Sequence, residues 1–260
     1  MKFAIIITEE LASIKIKEKL LELFPFKANS YNNIEIYELN KRCLYCENLD
    51  KELSADFFIF ATIHQSESGK ATLTVHPVGN WAEAKYGGKN QKLVPSSGIL
   101  LKLALRNLRK FAKDLNFEVS VEQTHHGPFL SKPTMFIEIG SSEEQWKNPW
   151  AAEAIAKTII KTITEYPKAK FKTTILFGGG HYNKTANKIL LNTEFAISHI
   201  CTKYYLTSLT KKQIQEAIIK SVENIDFLIL DWKGLGPGKQ NLLNLINELQ
   251  IPFKKYKDLK

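Results

Sequence analysis

Five of the six histidines sit where strands are expected to end. His64 lies two residues past DFFIFAT, His76 follows LTV, His125 and His126 follow the strand ending at Gln123, and His181 follows TTILF and three glycines. Imidazole titrates near neutrality and is the commonest metal ligand, so such a group suits either proton transfer or metal binding. Glu138 and Asp231 lie near the ends of their own strands, and the same loops carry Ser66, Ser68, Thr124, Ser141 and Ser142. In a parallel sheet ligands bind outside the carboxyl ends of the strands. One shared site is therefore expected, lined by His64, His76, His125, His126 and His181, with Glu138 ligating or orienting a histidine. Two chemistries fit it. Two or three imidazoles with a carboxylate can hold zinc and leave a position open for activated water. Alternatively, a histidine acts as base without a metal and a glycine-rich loop supplies an oxyanion hole. No His-Glu-x-x-His spacing is present. Neighbours on an extended segment point to opposite sides, so only one of His125 and His126 is expected to face a given metal.

Other motifs carry less. His199 shares the parity of Phe195, Ile197 and Cys201 in an apolar strand and reads as a satisfied core histidine. Cys43 and Cys46 (CLYC) lack a second pair for a zinc ribbon and lack a redox context, so they are expected to be strand residues. GLGPGK (234–239) is one residue short of a phosphate loop, and Gln240 stands where Ser or Thr would meet magnesium. An NTPase is excluded, although a glycine-rich turn into a helix can still hold an anion. The Ser66-Glu67-Ser68-Gly69 stretch lacks the Gly-x-Ser-x-Gly elbow of a serine hydrolase.

Such a site needs strands to place it. Residues 2–8 (KFAIIIT), 34–39, 56–62, 73–75, 117–123, 133–139, 171–177, 194–201 and 226–231 read as strands, with a short one near Phe253. In 117–123, Glu118, Ser120 and Glu122 alternate with apolar residues, which gives that strand a polar face. Helices are expected over 9–24, 98–115, 183–191, 210–222 and 238–249. A further helix over 142–166 opens on the capping-box pair Ser142 and Gln145 and must kink or split at Pro149. Strands alternating with helices predict an α/β protein, a three-layer αβα sandwich with a largely parallel or mixed sheet. No linker or repeat divides the chain, so a single domain over 1–260 is expected, with two lobes that share one sheet.

Composition limits the function classes. The 260 residues include 36 Lys+Arg against 27 Asp+Glu, a formal charge of +9. Nearly all the basic residues are lysines, and Arg42, Arg106 and Arg109 are the arginines. Lysine suits sequence-tolerant contact with phosphates, although a lysine-rich solvated surface is the plainer reading. No apolar run approaches the length of a membrane span, and the run in MKFAIIITEE is too short for a signal peptide. Three cysteines form no even framework, so a reducing, cytoplasmic setting is expected.

The stretches HQSESGKATLTVHPVGNW (64–81), EQTHHGP (122–128), FIEIGSSEEQW (136–146), FGGGHY (177–182) and LDWKGL (230–235) resemble the D-aminoacyl-tRNA deacylases of the archaeal and plant type. They occur in that order over most of the chain. The resemblance implies an enzyme that hydrolyses the ester joining a D-amino acid to the 3′ end of tRNA, with zinc as cofactor. It implies a phosphorylase/hydrolase-like α/β fold similar to that of peptidyl-tRNA hydrolase. Beside it, the chemistry of the residues assigns His64, His125, His126, Glu138 and His181 to catalysis, and His64, His76, His126, Glu138 and His181 to the metal. The amides of Gly178, Gly179 and Gly180 and the hydroxyls of Ser66, Ser68, Ser141 and Ser142 are expected partners of the amino-acid group or the terminal adenosine. A rigid element such as Gly127-Pro128 would wall off the space where an L side chain projects. The lysine excess would hold the tRNA acceptor end by its phosphates. Nothing demands a dimer, so a monomer is expected. Two other readings stand: a zinc hydrolase of peptides or small amides, and a non-catalytic RNA-binding protein.

Overall fold

The computed structural model describes residues 1–259. Continuous apolar runs make its central strands, because both faces are buried. In β4 (Phe57–Gln65), Phe57, Ile59 and Ala61 point into a core covered by helices, while Phe58 and Phe60 point into a second core on the opposite face. β1 (Phe3–Ile7), β3 (Ile34–Glu38), β4 and β7 (Thr134–Ser141) are parallel, and β2 (Ser30–Tyr31) edges β3 antiparallel. β5 (Thr72–Pro77) enters antiparallel beside β7, with β6 (Glu118–Val121) parallel to it. This sheet has the order β2-β3-β1-β4-β7-β5-β6 and is mixed. β8 (Lys172–Phe177), β9 (Phe195–Cys201), β10 (Ile225–Leu230) and β11 (Phe253–Lys255) form a separate, all-parallel sheet, ordered β11-β10-β8-β9. The α/β class and the mixed sheet are as expected; the strands form two hydrogen-bonded sheets instead of one.

α1 (Leu11–Leu23), α2 (Gly98–Phe111) and the longest helix pack on the inner face of the first sheet, and α2 also lies against β9. The helix expected over 142–166 is split at Pro149 into α3 (Glu143–Trp146) and α4 (Pro149–Glu165). Asn148 caps α4 by accepting from the Trp150 and Ala151 amides, and Pro149 fills the first turn where no donor is needed. Gln145 Oε1 accepts from the Ser142 amide and hydroxyl, as the capping pattern predicted. α5 (Lys184–Asn192) follows β8. Its carboxyl end is closed by the buried Lys102, whose ammonium donates to Leu190 O (2.7 Å), Thr193 O (2.8 Å) and Phe195 O (2.9 Å). α6 (Lys211–Ile219) and α7 (Lys239–Leu249) cover the other face of the second sheet.

Cys43 and Cys46 are not strand residues. They begin and cap a 3₁₀ turn whose three-residue period puts both thiols on one side, buried against Phe58 and Phe60. His199 lies in the core as expected but is only half satisfied. Its Nε2 stands 3.4 Å from Lys220 O, and its Nδ1 has no partner.

Candidate active site

Three adjacent strands put one acid between two imidazoles. Glu138 of β7 is flanked by Thr62 of β4 and Thr74 of β5, with His64 beside Gly140 and His76 beside Phe136. Side chains alternate along a strand, so His64, Glu138 and His76 share the face that carries Phe60 and Phe136. His64 Nδ1 lies 3.3 Å from Glu138 Oε2, and His76 Nε2 lies 3.5 Å from Oε1. Thr74 Oγ1 donates to the same carboxylate. Gly140 makes room for this: a Cβ there would stand 2.8 Å from His64 Cδ2 and 2.5 Å from Thr72 Oγ1.

The other imidazoles come from the loops after β6 and β8. The Gln123 amide donates to His181 O at 2.9 Å and the Asn183 amide to Val121 O at 3.0 Å, so the two sheets are joined here. Glu122 is fully buried among three histidines, with His181 Nε2 at 2.9 Å, His64 Nδ1 at 3.3 Å and His125 Nε2 at 3.4 Å. His126 takes a left-handed backbone, φ 45°. That breaks the alternation of an extended pair and turns both rings toward His76, with centroids 4.2 Å (His125) and 4.7 Å (His126) away. Both rings can therefore offer a ligand atom to one metal, where alternation along an extended pair predicts only one.

All three rings are held in the same way. Nδ1 of His76 meets Pro77 O (3.1 Å), that of His125 meets Gln123 O (2.9 Å), and that of His126 meets Gly127 O (2.6 Å). A carbonyl only accepts, so each Nδ1 carries a proton and each Nε2 is left to face the cluster. Three groups of donors able to hold a metal result: His76–His125–His126, Glu122–His125–His181 and His64–Glu122–Glu138, each with its ligating atoms within 4.8 Å of one another. His76 Nε2 and Glu122 Oε1 are buried with no hydrogen-bond partner. Unpaired buried polar atoms are costly, and imidazole with carboxylate is a donor set that suits a borderline divalent cation.

Charge in the cluster is balanced internally. Burial resists a proton on His64, but the hydrogen bond to Glu138 and the charges of Glu122 and Glu138 outweigh it and raise His64 to about 9. His76 is raised for the same reasons, Glu138 foremost. Glu138 is held well below the usual carboxylate range, because His76 and His64 overcome the burial that opposes its charge. Glu122 is also lowered against its burial, by the His181 hydrogen bond and the charge of His64. Burial, with His76 beside it, pushes His126 down to about 4. His125 is lowered too, by burial and then by His76, His126 and His181. The two buried carboxylates thus strengthen the hold of His64 and His76 on their protons, and a cation bound at His76 would take the place of the proton there.

The cluster opens into a cavity of about 800 Å³ lined by His64, His125, His126, His181 and Glu138. Ser66, Ser141 and Ser142 also line it; Ser68 does not, and its hydroxyl is bonded to Ser66. The Ser141 hydroxyl donates to Lys70 O, and that of Ser142 to Gln145. His76 is sealed beneath the cavity. Gly178, Gly179 and Gly180 lie outside the lining, and two of their amides already donate, Gly178 to Cys201 O and Gly179 to Gly234 O. Gly127 and Pro128 are buried behind His126; the Gly127 amide donates to Tyr86 O, and a Cβ on Gly127 would stand 2.3 Å from Gly88 N. Asp231 accepts from Thr185 Oγ1 and the Gly234 amide.

Three site residues escaped the sequence reading. Glu122 was absorbed into a strand's polar face, although it stands three residues before His125. Tyr182, whose Oη is 2.7 Å from His64 Nε2, and Gln123, whose side-chain amide meets His181 Nδ1 at 3.0 Å, each adjoin a predicted residue. Glu10, Arg42 and Trp146, which line the cavity from elsewhere in the chain, carried no local signal.

The chain's likeness to known proteins extends over nearly its whole length. It is 38% identical to a protein named D-aminoacyl-tRNA deacylase from Thermococcus onnurineus (strain NA1), over 97% of this chain and 99% of that one. It is 37% identical to a protein of the same name from Pyrococcus furiosus, over 94% and 96%. A crystal structure of a conserved protein of unknown function, AF0625, superposes with a TM-score of 0.90 at 28% identity, over 100% of this chain and 96% of that one. Residues 51–254 match the sequence pattern of the D-aminoacyl-tRNA deacylases, and with relatives of that name spanning the remainder, the chain belongs to the D-aminoacyl-tRNA deacylase family.

Proposed function

We propose that this chain hydrolyses the ester between a D-amino acid and the 3′ end of tRNA with zinc held in the histidine cluster. The observation that carries the reading is the convergence of His76, His125 and His126, each with Nδ1 fixed on a backbone carbonyl. That arrangement locks the rings and offers Nε2 as ligand, as metal-binding histidines require. His76, His125 and His126 would hold zinc, with Glu138 and Glu122 as nearby carboxylates and His181, grouped with Glu122 and His125, able to extend the set. When bound, zinc lowers the pKa of water and polarises a carbonyl.

The chain's own groups do the rest. His64 borders the cavity with Nδ1 facing Glu122 and Glu138, and those carboxylates keep it charged. Its Nε2, which meets Tyr182 Oη, can hand a proton to the departing 3′-oxygen as the ester breaks. His181 is gripped at both nitrogens, by Glu122 and Gln123, and so positions other groups. Ser66, Ser141 and Ser142 line the space for the amino-acid group and the terminal adenosine. The Gly127-Pro128 backbone, buried behind His126 and fixed against Gly88, would reject an L side chain only through that ring, which it holds at the cavity wall.

The partners in this reading are tRNA, met by lysines, and the D-amino acid. The chain acts as a monomer in the cytoplasm, a setting that suits its three free, buried cysteines. Among the described residues, no helix is long and apolar enough to cross a membrane. The test is release of labelled tyrosine from D-Tyr-tRNA and L-Tyr-tRNA, with and without a chelator. Release from the D ester alone, lost with chelator and restored by zinc, is expected. Release from neither ester overturns the proposal.

A further inference from the structure

All four strands of the second sheet are parallel, so their carboxyl ends form one edge. Lys255 ends β11, Trp232 and Lys233 follow β10, and Lys203 and Tyr204 follow β9. Between them, the loop after β8 carries His181 into the candidate active site. The Gly179 amide of that loop donates to Gly234 O at 3.0 Å, which ties the Trp232–Lys233 turn to it. A Cβ on Gly180 would meet Tyr204 Oη first, at 3.9 Å. The edge is therefore continuous with the cavity.

Its charge is distinctive. The ammoniums of Lys239 and Lys255 stand 3.7 Å and 4.1 Å from the centroid of the Trp232 ring. The ring's quadrupole attracts each cation, but the two repel one another. They lie no further apart than those two distances combined, and backbone phosphates held against them would relieve that repulsion. Neither ion-pairs with a carboxylate, and nor does Lys203 or Lys233, among the described residues. Lysines elsewhere are partnered, such as Lys15 with Glu18, Lys157 with Glu153 and Lys161 with Glu165. The cavity is of the opposite kind: apart from histidines, its lining offers Glu10, Glu67, Glu138 and Glu143 against Arg42. A polyanion is repelled there and drawn to the edge.

We propose that the carboxyl edge of the second sheet is where this protein holds the phosphates of the tRNA acceptor end nearest the ester, with the Lys239–Trp232–Lys255 group as the main phosphate clamp. This rests on the deacylase reading above. The backbone enters over Lys255 and Trp232, passes Lys203 and Tyr204, and delivers the terminal ribose to the cavity beside His181. Tyr204, exposed and next to Gly180, offers a face for a base to stack on.

The test is the dissociation constant of the full chain for uncharged tRNA across a salt series. For K239Q/K255Q, binding at 0.1 M salt is expected to weaken roughly ten- to thirty-fold, and the slope of log K against log salt to flatten by about 1.4, at about 0.7 per single-strand phosphate contact. K203Q/K233Q, at exposed positions, should lose binding in the same sense, so that a folding defect in the first pair cannot hide the result. K157Q/K161Q on α4 should bind as the unaltered protein does. Unaltered affinity and slope in K239Q/K255Q and K203Q/K233Q overturn the proposal, as does an equal loss in K157Q/K161Q. Hydrolysis of D-Tyr-tRNA is measured alongside. Turnover with no effect of the edge lysines on binding sinks the docking surface alone, whereas binding through the edge without release of D-tyrosine sinks the deacylase reading.

Discussion

Glu122 Oε2 stands 2.9 Å from His181 Nε2, and through that contact the end of β6 in one sheet is bonded to the loop that leaves β8 in the other. Glu122 is wholly buried, and the charges that compensate it belong to imidazoles. An acid so placed is expensive unless paired, and its second oxygen, with no hydrogen bond, points to a further cation.

Glu122→Gln keeps the shape and removes the charge. It should weaken zinc affinity about 10- to 100-fold, the range typical of losing a supporting carboxylate, and reduce turnover at least as much. The melting temperature should move little, because the amide can still meet His181. Metal titration beside a thermal melt checks this; unchanged zinc affinity would remove Glu122 from the centre.

His76 and His64 should separate by role. His76→Asn takes away a buried donor whose Nε2 has no other partner, so zinc and activity should be lost together. His64→Gln removes the proton bound for the leaving oxygen; turnover should drop about 10²- to 10⁴-fold with the metal retained. Metal content of the purified variants, set against D-Tyr-tRNA turnover, reads both. Retention of metal by His76→Asn would disprove the ligand assignment.

Parts of this architecture could be read from residue order alone, and the reasons differ. DFFIFAT and the apolar run from Thr134 declare themselves because strands buried on both faces have few polar positions, and Pro149 declares the split because it cannot continue a helix. The direction of β5 does not show, since a short strand's own residues fit either orientation. The inward turn of the His125–His126 pair does not show either, because it depends on one left-handed φ at a residue that rarely adopts it. Glu122 has the parity of exposed acids. Only the loop of the second sheet, far along the chain, makes it a buried one.

Zinc binding should release protons. Without metal, Glu138 beside His76 raises that imidazole's hold on a proton, and a cation bound at its Nε2 displaces that proton, while His64 keeps its own. At pH 6.5, where a raised His76 is mostly protonated, about one proton should leave per zinc, and affinity should rise with pH. Calorimetry in two buffers of different ionisation enthalpy measures the number. Zero release would mean that the metal sits elsewhere.

His199 should make stability sensitive to acid. It is fully buried in β9 with Nδ1 unpartnered, and burial pushes it down to about 4 from the ordinary value of 6.5. Because the folded value is depressed, the unfolded chain binds the proton more readily between those two values. Stability therefore rises with pH through the window, is complete above about 6.5, and is lost on acidification toward 4. One such group contributes a slope of at most about 1.4 kcal/mol per pH unit, or about 3 kcal/mol across the window. Buried His125 and His126 act in the same sense, so the difference between two proteins is the quantity to read. His199→Gln should unfold in urea with a shallower dependence of stability on pH between 4 and 6.5 than the unaltered chain. Parallel dependences would mean that His199 stays protonated in the folded protein or finds a partner for Nδ1 there.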